Sequence, residues 1–184
     1  MTSRSFLFFL ALSVGMMLAA TSCSIFRKST PPPASNKPIT PGATKPPATE
    51  DAAMRLRRDI VSEAQRYVGS PYQYAGKNPS TGFDCSGFTH FVLNKYDISV
   101  SPSSSVQATE GKEVPLDKVK PGDLIIFRTE DGSRVQHVSM VVENTTKGIV
   151  CVHSTTSRGV IVENVSTSSY WKPRIWQARD VIGK

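Results

Sequence analysis

Histidine and cysteine are scarce in this chain, three of each in 184 residues, and two tryptophans complete the list of rare side chains. No apolar run is long enough to cross a bilayer comfortably, since the longest extends only from Phe6 to Ala20. There is no internal repeat and no glycine-rich loop of the kind that cradles phosphate. Basic residues are not interleaved with aromatic ones, so the formal charge of +7 does not point to nucleic acid. Few histidines and cysteines also leave few sites for a metal, and no pair of them has the short spacing of structural zinc. What chemistry the chain performs must therefore be carried by very few residues.

The N-terminal third reads as export and tethering. Arg4 precedes the apolar run, and small residues follow it, which are the flanks of a secretory signal. Leu18-Ala19-Ala20-Thr21-Ser22-Cys23 resembles the lipobox of bacterial lipoproteins, with Ala20 where Leu is commonest. That resemblance implies a signal peptide over 1–22 and a lipid on Cys23. Ser24 is not the Asp that favours inner-membrane retention, so the expected location is the outer membrane, facing the periplasm. Residues 23–50 are rich in Pro, Thr and Ser and hold almost nothing that packs. Extended, such a tether reaches roughly 60 Å. Its cations, Arg27, Lys28, Lys37 and Lys45, suit an anionic membrane or an acidic polymer.

From Asp51 to Lys184 the pattern becomes that of a folded domain. Ala53, Leu56, Ile60, Ala64 and Tyr67 fall at helical spacing, and Gly69-Ser70-Pro71 stops the run. A second helix is expected to begin near Asp84, with Phe88, Phe91 and Tyr96 inward. Residues 101–111 hold at most a short helix. Strands are expected over 123–128, 136–143, 149–153, 160–165 and 174–181, separated by Pro-Gly, Asp-Gly, Lys-Gly and Arg-Gly turns. The fold class is α+β, with N-terminal helices packed on a five- to six-stranded antiparallel sheet.

Cys85 stands in Phe83-Asp84-Cys85-Ser86-Gly87-Phe88, at the expected first turn of the second helix. Unpaired amides there favour a thiolate, but by at most about 1 kcal/mol, so a cationic partner is required. Strand alternation places His137, Ser139 and Val141 on one face and Val138, Met140 and Val142 on the other. The second set is expected to be buried, with His137 directed at the N-terminus of helix two. His153 shares its face with Cys151 on the next strand and is placed to orient His137. The reading is a Cys85 nucleophile, a His137 base and a neutral His153, with Cys85 and His137 as an ion pair alkylated well below pH 8.5. A Cys85–Cys151 disulfide would silence the nucleophile, so two free thiols are expected. Cys151 reads as packed, His90 as solvent-facing and Asp123 as a turn acid.

The ordered motifs Pro71-Tyr72-Gln73-Tyr74-Ala75-Gly76, Phe83 to Phe88, Val119 to Leu124, Gln136 to Val141 and His153 to Val160 resemble the NlpC family of papain-like cell-wall endopeptidases. The resemblance implies Cys85, His137 and His153 as the catalytic residues and Tyr74 as the oxyanion phenol. It implies Asp84 and Ser86 as holders of a substrate amine. The implied substrate is a peptidoglycan stem peptide, cut between D-glutamate and a diamino acid or at a D,D cross-bridge, by a monomer without cofactor or metal. Ala75 and Ser139 stand where glycines are usual, and their Cβ atoms bear on the width of the cleft. Two rivals use the same layout: a wall-binding lipoprotein without turnover, and an acyltransferase.

Overall fold

The computed structural model describes residues 48–183; the expected signal peptide, Cys23 and most of the expected tether lie outside the described residues. Three helices, α1 (Ala48–Gln65), α2 (Cys85–Asn94) and α3 (Ser104–Gln107), accompany eight strands. Two short strands, β1 (Lys77–Asn78) and β2 (Gly82–Phe83), form a small ribbon just before α2. The main sheet contains β3 (Lys112–Val114), β4 (Leu124–Arg128), β5 (Val135–Thr145), β6 (Gly148–Thr155), β7 (Gly159–Asn164) and β8 (Ile175–Asp180). Its order is β3-β8-β4-β5-β6-β7, antiparallel throughout. The α+β architecture is as expected, with β3 an edge strand that the sequence did not suggest. Lys112-Glu113-Val114 has no apolar alternation, and its strand conformation comes from pairing with β8.

Both faces of the sheet are covered, and the two coverings differ. On one face Phe88, Val92 and Leu93 of α2 and Ile60, Val61 and Ala64 of α1 pack on Val138, Met140 and Val152. On the other, Phe127, Val141, Cys151 and Ala178 pack with Trp171 from the segment before β8. Burial of this apolar surface is the main source of stability. Helix two therefore sits on the hydrophobic face of β5, not on the His137 face as expected. The reason is that an alternating strand covered on both sides cannot reveal which covering is a helix.

Helix α1 corrects a second expectation. Its inward face holds Arg57 with Ile60, Val61 and Ala64, whereas Ala53 and Leu56 are exposed. The Arg57 guanidinium is buried between Asp123 at 2.7 Å and Asp180 at 2.6 Å. Asp123 also accepts from the Lys120 amide at 2.8 Å, so it is a turn acid with a second task. The expected stripe of Ala53 and Leu56 gives way because the ion pairs of Arg57 hold that residue on the inward face instead. Removing one partner of such a buried pair typically costs about 3–5 kcal/mol.

Candidate active site

Asp84 caps α2: its Oδ1 accepts from the Gly87 amide at 2.6 Å, with the backbone extended at φ −86°. The cap fixes where the helix begins and so places Cys85 in its first turn. Two further ties hold this end of the helix, one to the main sheet and one to the loop before β1. Ser154 Oγ, at the end of β6, donates to the Phe83 carbonyl at 2.7 Å, and the Gly76 carbonyl accepts from the Asp84 amide at 3.0 Å. Gly87 permits the second approach, because a Cβ there would lie 2.0 Å from the Gly76 oxygen. Cys85 is thus fixed beside the start of β5 and the end of β6, where the two faces of the sheet open into one cavity.

That cavity has a volume of about 500 Å³, and Cys85 and His137 both line it. His137 comes from the opposite face to α2, sandwiched between Trp171, stacked at 4.5 Å, and Phe127, tilted at 5.5 Å between ring centroids. The Met140–Val152 register sets His153 one diagonal step from His137. His137 Nε2 lies 2.8 Å from His153 Nδ1, and His153 Nε2 lies 3.0 Å from Glu163 Oε1. Glu163 Oε1 also accepts from Arg158 Nη2 at 2.8 Å and from Trp171 Nε1 at 2.9 Å.

This network determines the tautomers. Burial works against the Glu163 carboxylate, yet Arg158 and Trp171 hold it below the usual carboxyl range, so it can only accept. Burial lowers His153 to about 4, despite the opposing pull of Glu163, so at neutral pH it is uncharged. His153 must then donate through Nε2 to Glu163 and accept at Nδ1 from His137 Nε2–H. Burial, helped by His153, also takes His137 well below its ordinary value. Its Nδ1 is left as a lone pair, the atom needed by a general base.

Burial raises the Cys85 thiol, against the pull of the backbone amides of Val138, Ser86 and Cys85 itself. The resting pair is accordingly a thiol and a neutral imidazole, which corrects the expected ion pair. Helix-end and amide dipoles favour the thiolate, but less than desolvation opposes it.

Other expectations divide. Cys85 and Cys151 are both free, and Cys151 is buried with its thiol pushed up to about 12. His90 is half-buried rather than solvent-facing, with Nδ1 at 2.7 Å from the Val100 carbonyl. Tyr74 is 82% exposed and does not line the cavity; Tyr72 does. Phe83 and Pro71-to-Gln73 exchange backbone bonds of 3.1 and 3.0 Å, which seat Tyr72 beside Cys85. The turn closed by Gly76 onto Gln73, with Ala75 at φ +56°, then carries Tyr74 outward. Ser86 Oγ turns toward the Pro102 carbonyl at 3.0 Å, and neither it nor Asp84 lines the cavity. Ala75 is exposed and Ser139 is buried away from the cavity wall, so neither narrows it. Ser139 Oγ is buried and faces the Cys151 thiol.

Sequence reading missed Glu163 and Trp171, and it left the oxyanion phenol between Tyr72 and Tyr74, with the family resemblance pointing to Tyr74. Glu163 carried a signal, because the turn at Arg158-Gly159 defines a hairpin whose register pairs Cys151 with Glu163 and His153 with Ile161. Trp171 carried none, since it lies in an irregular segment. Comparison with known proteins decides the family: residues 69–180 match the NlpC/P60 family. The chain belongs to that family. It is 37% identical over 124 residues to a gamma-DL-glutamyl hydrolase of Bacillus subtilis, a match covering 66% of this chain and 29% of the relative. It is 29% identical over 140 residues to the probable endopeptidase NlpC of Escherichia coli, covering 76% of this chain and 87% of that one. A crystal structure of an NlpC/P60 family protein from Bacillus cereus superposes with a TM-score of 0.63 at 28% identity, over 68% of this chain and 40% of the other.

The two buried imidazoles of this NlpC/P60 domain make stability depend on pH in a defined sense. His153 has its folded value depressed from 6.5 to about 4, so the unfolded chain binds the proton first as pH falls. Stability is full above the unfolded value and is lost as pH drops from about 6.5 to about 4, by about 3 kcal/mol for a shift of this size. His137 acts in the same direction. Denaturant unfolding across this window should show the decline, and His153→Asn should flatten part of it; an unchanged midpoint in the wild type would contradict the neutral buried pair.

Proposed function

We propose that this chain is a cysteine endopeptidase that hydrolyses the stem peptides of peptidoglycan, at the amide joining γ-D-glutamate to a diamino acid. The observation that carries the reading is the continuous hydrogen-bonded line Glu163, His153, His137, ending at a lone pair in the cavity that also holds Cys85. The names of the relatives, a glutamyl hydrolase and a probable endopeptidase, support the bond class. The D,D cross-bridge is the alternative bond.

The reaction follows from the geometry. As the Cys85 sulfur attacks the scissile carbonyl carbon, His137 Nδ1 takes the thiol proton. The imidazolium so formed donates through Nε2 to His153, whose own Nε2–H leans on the Glu163 carboxylate. The charge that appears on His137 is therefore met by a fixed negative charge one ring away. The developing oxyanion is met by the Cys85 amide and the Tyr72 phenol. Collapse breaks the C–N bond, the leaving amine takes the proton from His137, and a thioester remains. Water then attacks that thioester with His137 again as base, releasing the acid and restoring the thiol.

Asp84 and Ser86 lie outside the lining of this cavity, and in this reading Asp84 acts by capping the helix that carries Cys85. Lipid on Cys23 would hold the domain to the outer membrane, facing the periplasm, as a monomer at the reach of its tether. Among the described residues no helix is long and apolar enough to cross a membrane.

Purified sacculi incubated with the protein and then digested with a muramidase should release muropeptides ending in D-glutamate, and Cys85→Ala should abolish their release without changing the thermal midpoint by more than about 2 °C. Undiminished release by the alanine variant would eliminate Cys85 as nucleophile. In the same assay Glu163→Gln should lower kcat roughly ten- to a hundredfold with KM little changed, because an amide keeps the acceptor position but not the charge. A wild-type kcat in that variant would remove Glu163 from the mechanism.

A further inference from the structure

The catalytic cavity is lined largely by hydroxyl and amide side chains, and Arg158 is the residue of that lining with a permanent charge. His137 is held neutral and the Cys85 thiol is raised, so at rest nothing in the lining offsets the guanidinium. Glu163 stands behind it, outside the lining, and divides one carboxylate oxygen among His153, Trp171 and Arg158. A cavity with this charge pattern attracts an anion and disfavours a second cation.

The placement of Arg158 is rigid at its base and open at its tip. Its amide donates to Thr155 Oγ1 at 3.3 Å, and that hydroxyl donates to the Gly159 carbonyl at 3.1 Å, which closes the β6–β7 turn. Gly159 has φ +65°, and a Cβ there would lie 2.1 Å from the Ser70 oxygen, so the turn is pinned against the loop that leads to Tyr72. At the tip, one donor of the guanidinium is committed to Glu163 while the side chain is 55% exposed. A guanidinium fork anchored on one side presents its remaining donors in a fixed plane, the geometry suited to a carboxylate.

We infer that Arg158 is a specificity-determining residue that takes a free carboxylate adjacent to the scissile amide. The chemistry of the ligand follows from the linkage, and this inference rests on the function proposed above. A glutamyl residue joined through its side-chain carboxyl keeps its α-carboxylate, separated from the γ-methylene by the β and α carbons and within a side chain's reach of the reacting carbonyl. The cleft therefore selects γ-glutamyl bonds whose α-carboxylate is ionised over the same bonds with that carboxylate converted to a primary amide. Amidation removes the charge and replaces one of the two acceptor oxygens with an NH₂ donor, so the guanidinium fork keeps one neutral acceptor in place of a charged pair.

The test uses a pair of synthetic stem peptides, L-Ala-γ-D-Glu-diaminopimelate and its α-amide, with the full chain and with Arg158→Gln and Arg158→Lys. The quantity read is the ratio of kcat/KM for the two peptides, so that any slowing transmitted through Glu163 affects both and cancels. Wild type should favour the carboxylate by about tenfold or more, the range of a charge-assisted hydrogen bond in a partly open site. In Arg158→Gln the ratio should fall to within about twofold of unity, and Arg158→Lys should be intermediate, restoring charge without the fork. A wild type without preference, or Arg158→Gln with the wild-type ratio, overturns the inference while leaving the peptidase assignment standing. Cleavage of neither peptide by the wild type overturns the assignment itself, and the inference with it.

Discussion

Two imidazoles hydrogen-bonded to each other inside a protein impose conditions on everything around them. Out of water neither ring can hold a proton cheaply, so the pair must be neutral, and a neutral pair has a direction. His137 donates to His153, and His153 must then find an acceptor on its far side, which is Glu163. Glu163 in turn needs donors to remain ionised beneath the surface, and Trp171 and Arg158 supply them. Trp171 is also the lid stacked on His137, so the residue that desolvates the base is fastened by the residue that orients it.

The position of the nucleophile follows from a different set of constraints. Helix α2 packs on the face of β5 opposite to His137, and a cysteine midway along it would never meet that histidine. The first turn of the helix lies against the first residues of β5, where the Val138 amide meets the Cys85 thiol, and Asp84, Ser154 and the glycine contact at Gly87 hold the turn there. The cavity thus opens at the end of the strands, where side chains from both faces converge. Cys151, two residues from His153 on the same face, shows the contrast: within the sheet a thiol is sealed, raised to about 12 and chemically inert.

Much of this was legible in the chain. The start of helix two near Asp84, the alternation through His137 and the pairing of His137 with His153 rest on local rules of helix ends and strand periodicity. What escaped depended on tertiary partners. Arg57 faces inward because two carboxylates from distant turns meet it, and no periodic pattern records that. The phenol beside Cys85 is Tyr72 rather than Tyr74 because a tight turn at Ala75 diverts the chain. The expected ion pair gave way to a neutral pair because desolvation, unreadable from sequence, outweighs the helix end. Glu163 lay within reach of hairpin register arithmetic; Trp171 did not.

The central claim is the direction of the proton chain, and nitrogen-15 NMR of the imidazole rings reads it directly. At neutral pH both His137 and His153 should appear as uncharged Nε2–H tautomers, with His137 Nδ1 unprotonated. An Nδ1–H tautomer at His137, or a doubly protonated ring at either position, would contradict the account.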